Sequence, residues 1–107
     1  MTMVLTRDFR ETVRERAQRD PAFRQAMLEE SVECLLAGDL EVGKSILRDY
    51  VNATVGFESL AKRSGKSPKS LMRMLGPDGN PQARNLFKLI GHLQQCEGVH
   101  LQVRAVG

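Results

Sequence analysis

The chain has 107 residues, a formal net charge of +3 and 27% charged positions, and it reads as one domain, able to bury roughly two thirds of its unfolded surface. Only Phe9, Phe23, Phe57, Phe87 and Tyr50 are aromatic, so aliphatic side chains and methionine must fill the core, which suits packed helices burying one stripe each. No apolar run exceeds four residues, against the roughly 20 that a membrane span needs, and Cys34 and Cys96 make no disulfide framework; a membrane protein and a secreted disulfide scaffold are excluded, and a reducing cytoplasm is the expected setting.

The N-terminal third predicts two helices. Met1 to Leu5 runs directly into the polar stretch Thr6 to Glu11, so no secretory leader is read there. Thr6 is expected to cap a helix over 7–18, with Phe9 and Val13 four apart on one narrow apolar face. Asp20-Pro21 restarts the chain, Asp20 offering a side-chain oxygen and Pro21 being preset for a first helical position. The second helix runs to about Ala37 with Phe23, Met27, Val32, Leu35 and Leu36 as its apolar positions, and Gly38 ends it.

Asp39 is expected to cap a third helix from Leu40 to about Thr54. Its apolar positions are Leu40, Val42, Ile46, Leu47, Tyr50 and Val51, while Glu41, Lys44, Arg48 and Asp49 are expected to face water. After Gly56 come two short helices, Phe57–Ser64 and Pro68–Leu75, joined by Gly65-Lys66-Ser67. Gly76-Pro-Asp-Gly-Asn-Pro81 is the densest turn signal in the chain. Asn80-Pro81 is expected to open a last helix to about Cys96, with Leu86, Phe87, Leu89, Ile90 and Leu93 inward. From Val99 the pattern alternates apolar and polar through Arg104, the signature of a half-buried strand; it either pairs with a second copy or docks as a tail on its own helix.

Charge is unevenly spread. Residues 1–55 carry eight Lys/Arg against ten Asp/Glu. Residues 56–90 carry seven Lys/Arg against only Glu58 and Asp78, a balance of +5. A basic block beside a mildly acidic one is the footprint expected of a nucleic-acid surface, although a solvated face gives the same count.

Pattern and charge meet in residues 57–75. In a helix-turn-helix, Ala61 would sit where the two short helices touch, and Gly65 would supply the turn. Ser67 would cap the second helix and Pro68 would open it, while Leu60, Leu71 and Met74 point inward. Ser67, Lys69, Ser70 and Arg73 are then left on the outer face, the face that such motifs lay in the major groove. Lys69 and Arg73, one turn apart, suit phosphates or the guanine O6/N7 edge; Ser67 and Ser70 suit phosphate oxygens, and Lys62, Arg63 and Lys66 the flanking backbone.

Gly56-Phe-Glu-Ser-Leu-Ala61, Gly65-Lys-Ser-Pro-Lys-Ser-Leu71 and the Gly79-Asn-Pro81 loop together resemble the antidote-type transcriptional regulators of addiction modules, which belong to the phage-repressor-like (Xre/Cro) helix-turn-helix class. The resemblance covers about residues 41–103. It implies a homodimer that represses its own operon and a possible small toxin as partner. Lys66 stands where that family commonly has a hydrophobic residue, and the region before Asp39 exceeds the minimal antidote.

The expected fold is thus all-α, five or six helices containing a phage-repressor-like helix-turn-helix with a short C-terminal β-strand. It divides into an N-terminal helical extension (1–38) and a DNA-binding domain (39–107). The expected function is sequence-specific binding of double-stranded operator DNA as a dimer. The rival is a protein-interaction module, or an antitoxin gripping a partner with weak or no DNA binding. No catalytic residue, cofactor or metal is expected. His92 and Cys96 share the i, i+4 spacing of metal ligands, but His100 and Cys34 do not complete a motif. Met72 and Met74 are read as helix packing.

Overall fold

The computed structural model describes residues 7–107, and in them six helices and no strand. They are α1 (Arg7–Arg19), α2 (Pro21–Leu36), α3 (Leu40–Ala53), α4 (Phe57–Ser64), α5 (Pro68–Met74) and α6 (Ala83–Glu97). Three of the starts are made by the expected caps. Asp20 accepts the Phe23 amide at 3.2 Å and Asp39 that of Val42 at 3.3 Å. Ser67 accepts that of Ser70 at 3.1 Å. Each satisfies a donor that has no partner inside its helix. Thr6, expected to cap α1, lies outside the described residues.

One apolar cluster ties α2 through α6 together. It takes Leu28 from α2, Leu47, Tyr50 and Val51 from α3, and Phe57, Leu60 and Ala61 from α4. Leu71 and Leu75 join it from α5 and its end, and α6 adds Leu86, Leu89, Ile90 and Leu93. The α2–α3 crossing is close because Gly43 faces Leu35 and Ser31: a Cβ there would lie 2.6 Å from a Leu35 methyl. Ser31, fully buried at that crossing, donates its hydroxyl to the Leu28 carbonyl at 2.7 Å, so no polar atom is stranded.

Several expectations are corrected. No strand forms at the C-terminus. Gly98 turns the chain left-handed after α6, and the Leu101 amide donates to Gln94 Oε1 at 2.8 Å. Val99 and Leu101 rest against the core. A single extended segment has no ladder partner within one chain, so it satisfies its amide and its apolar face on its own last helix instead.

The last helix begins at Ala83, not at Asn80-Pro81, because Gln82 is still extended with ψ 145°. Phe87 is 62% exposed rather than inward. It lies about 100° around the helix from Leu86, off the stripe of Leu86, Leu89, Ile90 and Leu93. On α3, Leu40 and Val42 are exposed, and Arg48 and Asp49 are half-buried rather than in water. Lys44 is the largest departure: it is 1% exposed, not on the solvated side. It falls three residues before Leu47 and so on the same inner face.

Candidate nucleic-acid interface

α4 and α5 are joined by three residues, of which Gly65 has φ +73°, a conformation that costs a side-chain-bearing residue about 1 kcal/mol or more. The Gly65 amide closes the end of α4 on the Ala61 carbonyl at 3.0 Å. Inside the turn, Ser64 Oγ donates to the Ala61 carbonyl at 3.4 Å and accepts the Lys66 amide at 3.3 Å. Leu60, Ala61 and Leu71 are buried, and Met74 packs against the same core. The two short helices are therefore held from within by the residues expected to hold them.

What they leave outside is cationic. Lys62 and Arg63 at the end of α4, and Lys69 and Arg73 on α5, are exposed; Lys66 in the turn is half-buried. Among the described residues none of the five forms an ion pair or a side-chain hydrogen bond. Ser67 is committed locally: besides accepting the Ser70 amide, it donates to Ser70 Oγ at 2.9 Å. That leaves the Ser70 hydroxyl hydrogen able to point outward. Met72 is 48% exposed on the same outer side rather than packed, a correction to its reading as core. The outer face of α5 thus offers Lys69 and Arg73 one turn apart, flanked by a hydroxyl donor and an apolar thioether.

The loop after α5 is held by a residue of α3 that charge patterning hid. Gly76 to Gly79 is a four-residue turn closed by the Gly79 amide on the Gly76 carbonyl at 3.1 Å, with Pro77 in its second position. The buried Lys44 ammonium donates to both end carbonyls of that turn, Gly76 O at 3.1 Å and Gly79 O at 2.6 Å, and pairs with Glu41 at 3.1 Å. Three donors meet three acceptors, which is what lets a lysine sit in the interior. The turn lies so close under α5 that a Cβ on Gly79 would run into the Arg73 carbonyl and come within 2.8 Å of that of Met74.

Elsewhere charge is used differently. Glu97, at the end of α6, has a side chain only 4% exposed, and Arg24 Nε reaches both its oxygens at 3.1 Å. Tyr50 donates to Glu97 Oε1 at 2.5 Å, and Arg24 also donates to the Ala17 carbonyl at 2.6 Å. Burial first, then the hydrogen bond to Glu97, pushes the Tyr50 hydroxyl well above its ordinary pKa, so it stays a donor. This network joins α1, α2, α3 and α6. Neither Arg24 nor Glu97 was singled out by the sequence pattern; the only signal was an acidic residue at a helix C-terminus, where the dipole disfavours it without a nearby cation.

A groove of about 860 Å³ between α1, α2 and α3 is lined by Phe9, Phe23, Met27 and Ile46 together with charged side chains such as Arg14 and Arg48. His92 and Cys96 do not gather a metal set: among the described residues no three His, Cys, Asp or Glu side chains are placed to hold an ion. No described helix is long and apolar enough to cross a membrane. No protein-family model, curated protein or solved structure matches the chain.

Proposed function

We propose that this protein is a sequence-specific DNA-binding transcriptional regulator, a cytoplasmic repressor acting as a homodimer, in which α4 and α5 form a helix-turn-helix of the phage-repressor-like type. The observation that carries the reading is the outer face of α4 and α5: four exposed cations, Lys62, Arg63, Lys69 and Arg73, with no carboxylate partner among the described residues, backed by buried Leu60 and Leu71. A helix presented in this way suits the major groove, where arginine or lysine reads the guanine edge and the remaining cations hold phosphates. Lys62, Arg63 and Lys66 are assigned to the backbone, with Ser70, and Ser67 orients the start of α5.

Two copies would present two such helices to successive major grooves about 34 Å apart. Titrating the protein with its own upstream region and with an unrelated duplex, across a salt series, tests this. Binding should prefer the upstream duplex and fall steeply with salt as counterions are released. No binding at low salt would end the repressor reading.

The second reading, a partner-binding antitoxin or adaptor, is favoured by the groove between α1, α2 and α3, where apolar and charged side chains mix. It predicts that Phe23→Glu abolishes partner capture while leaving DNA affinity unchanged.

A further inference from the structure

We infer that Lys44 is a positioning residue for DNA reading, holding the last turn of α5, and with it Arg73, through the Gly76–Gly79 turn. This inference rests on the DNA-binding reading above. Its basis is a chain of contacts with no slack in it. The ammonium of a 1% exposed lysine on α3 bonds both end carbonyls of the turn. The turn is closed on itself by its own backbone bond, and the Gly76 amide donates to the Arg73 carbonyl at 3.1 Å. Gly79 lies against the carbonyls of Arg73 and Met74 so closely that no side chain fits between.

α5 is only seven residues long, and an isolated helix of that length is not stable in water. Its outer face therefore takes its orientation from what holds its two ends. Ser67 holds the start. Core packing of Leu71 and Leu75 holds one side. The Lys44-clamped turn holds the end. Lys44 itself is not available to phosphate, being buried beneath the turn, so its contribution to binding is geometric.

The test compares wild type, Lys44→Met and Pro77→Gly. Lys44→Met keeps an unbranched apolar stem and removes the ammonium with its three donors. Pro77→Gly loosens the same turn at an exposed position, and serves if Lys44→Met does not fold. For each, affinity is measured for the upstream duplex and for an unrelated duplex across a salt series, and amide exchange is followed at Leu71, Arg73, Leu75 and Gly79.

The upstream-over-unrelated preference should fall about tenfold in Lys44→Met, part of the value of one bidentate base contact, and by about two- to threefold in Pro77→Gly. The salt slope should not change, because no phosphate contact is lost. Exchange should quicken from Leu71 to Gly79 and not in α3. A folded Lys44→Met protein with unchanged preference overturns the inference, whatever its exchange, as does a reduced salt slope; if Lys44→Met does not fold, unchanged preference in Pro77→Gly overturns it. If wild type prefers no sequence, the DNA reading fails, and the exchange pattern alone then decides whether Lys44 holds α5.

Discussion

Charge does opposite work at the two sides of this molecule. Where α1, α2, α3 and α6 meet, Arg24, Glu97 and Tyr50 are withdrawn from water and satisfy one another. On α4 and α5, Lys62, Arg63, Lys69 and Arg73 stand outward, with half-buried Lys66 in the turn between them, and none has an ion-pair partner among the described residues. A buried pair is costly to break because the survivor is left uncompensated, whereas exposed cations contribute little to stability. Evolution can alter the second surface almost without touching the fold, which is the freedom a reading surface needs. Lys44 stands between the two: buried and fully bonded like the first group, yet spent on placing the second.

The largest expected effect strikes the buried side. Glu97→Ala leaves Arg24 mostly buried with no counter-ion, and should lower stability by about 3–5 kcal/mol in denaturant unfolding while DNA affinity, measured well below the melting point, is unchanged. An equal loss of affinity would mean that the two sides are not separable. Next come the exposed cations, with the opposite signature. Arg73→Ala and Lys69→Ala should each cost about 1–3 kcal/mol of binding and relax sequence preference, with stability moved by no more than about 0.5 kcal/mol. Lys62→Ala should weaken all duplexes alike, and if it relaxed preference as much as Arg73→Ala, α5 would not be the reading helix.

Ala61→Leu should move both properties together. It overpacks the contact between the short helices, for about 1–3 kcal/mol in thermal melts and a parallel loss of operator preference. Unchanged melts would show that α4 and α5 do not meet at Ala61. The smallest effect belongs to Met72, whose thioether is exposed and, on the proposed DNA-binding reading, would meet a thymine methyl. Replacing the thymines of the bound site one at a time by deoxyuridine should weaken wild type at one position by about 0.8 kcal/mol, the value of burying one methyl group. The Met72→Ala protein should ignore that replacement, and sensitivity retained in the variant would remove Met72 from the interface.

Much of this architecture was legible from local chemistry. Asp20-Pro21, Asp39 and Ser67-Pro68 announce helix starts because a side-chain oxygen must satisfy the first free amides, and the caps form where those residues stand. Gly65 marks the turn for a similar reason: its φ of +73° suits glycine best. The exposure of Lys69 and Arg73 followed from the spacing of Leu71 and Met74 on the other side. Local signals failed where a residue's fate depends on a distant partner. The alternation of 99–104 is a true half-buried pattern, with Val99 and Leu101 against the core, but whether it makes a strand depends on finding a ladder.

The sequence by itself determined where six helices begin and end, to within about three residues, and which side of α4 and α5 is cationic, because caps, periodicity and positive φ are settled within one or two turns of chain. Only the tertiary structure decided that Lys44 is interior, that Glu97 is paired with Arg24 across 73 residues, and that the tail lies on α6. A charged side chain is written as polar in any pattern. Its burial becomes tolerable only when carbonyls or a counter-ion from elsewhere in the chain arrive to replace water, and that arrival is a property of the packed fold.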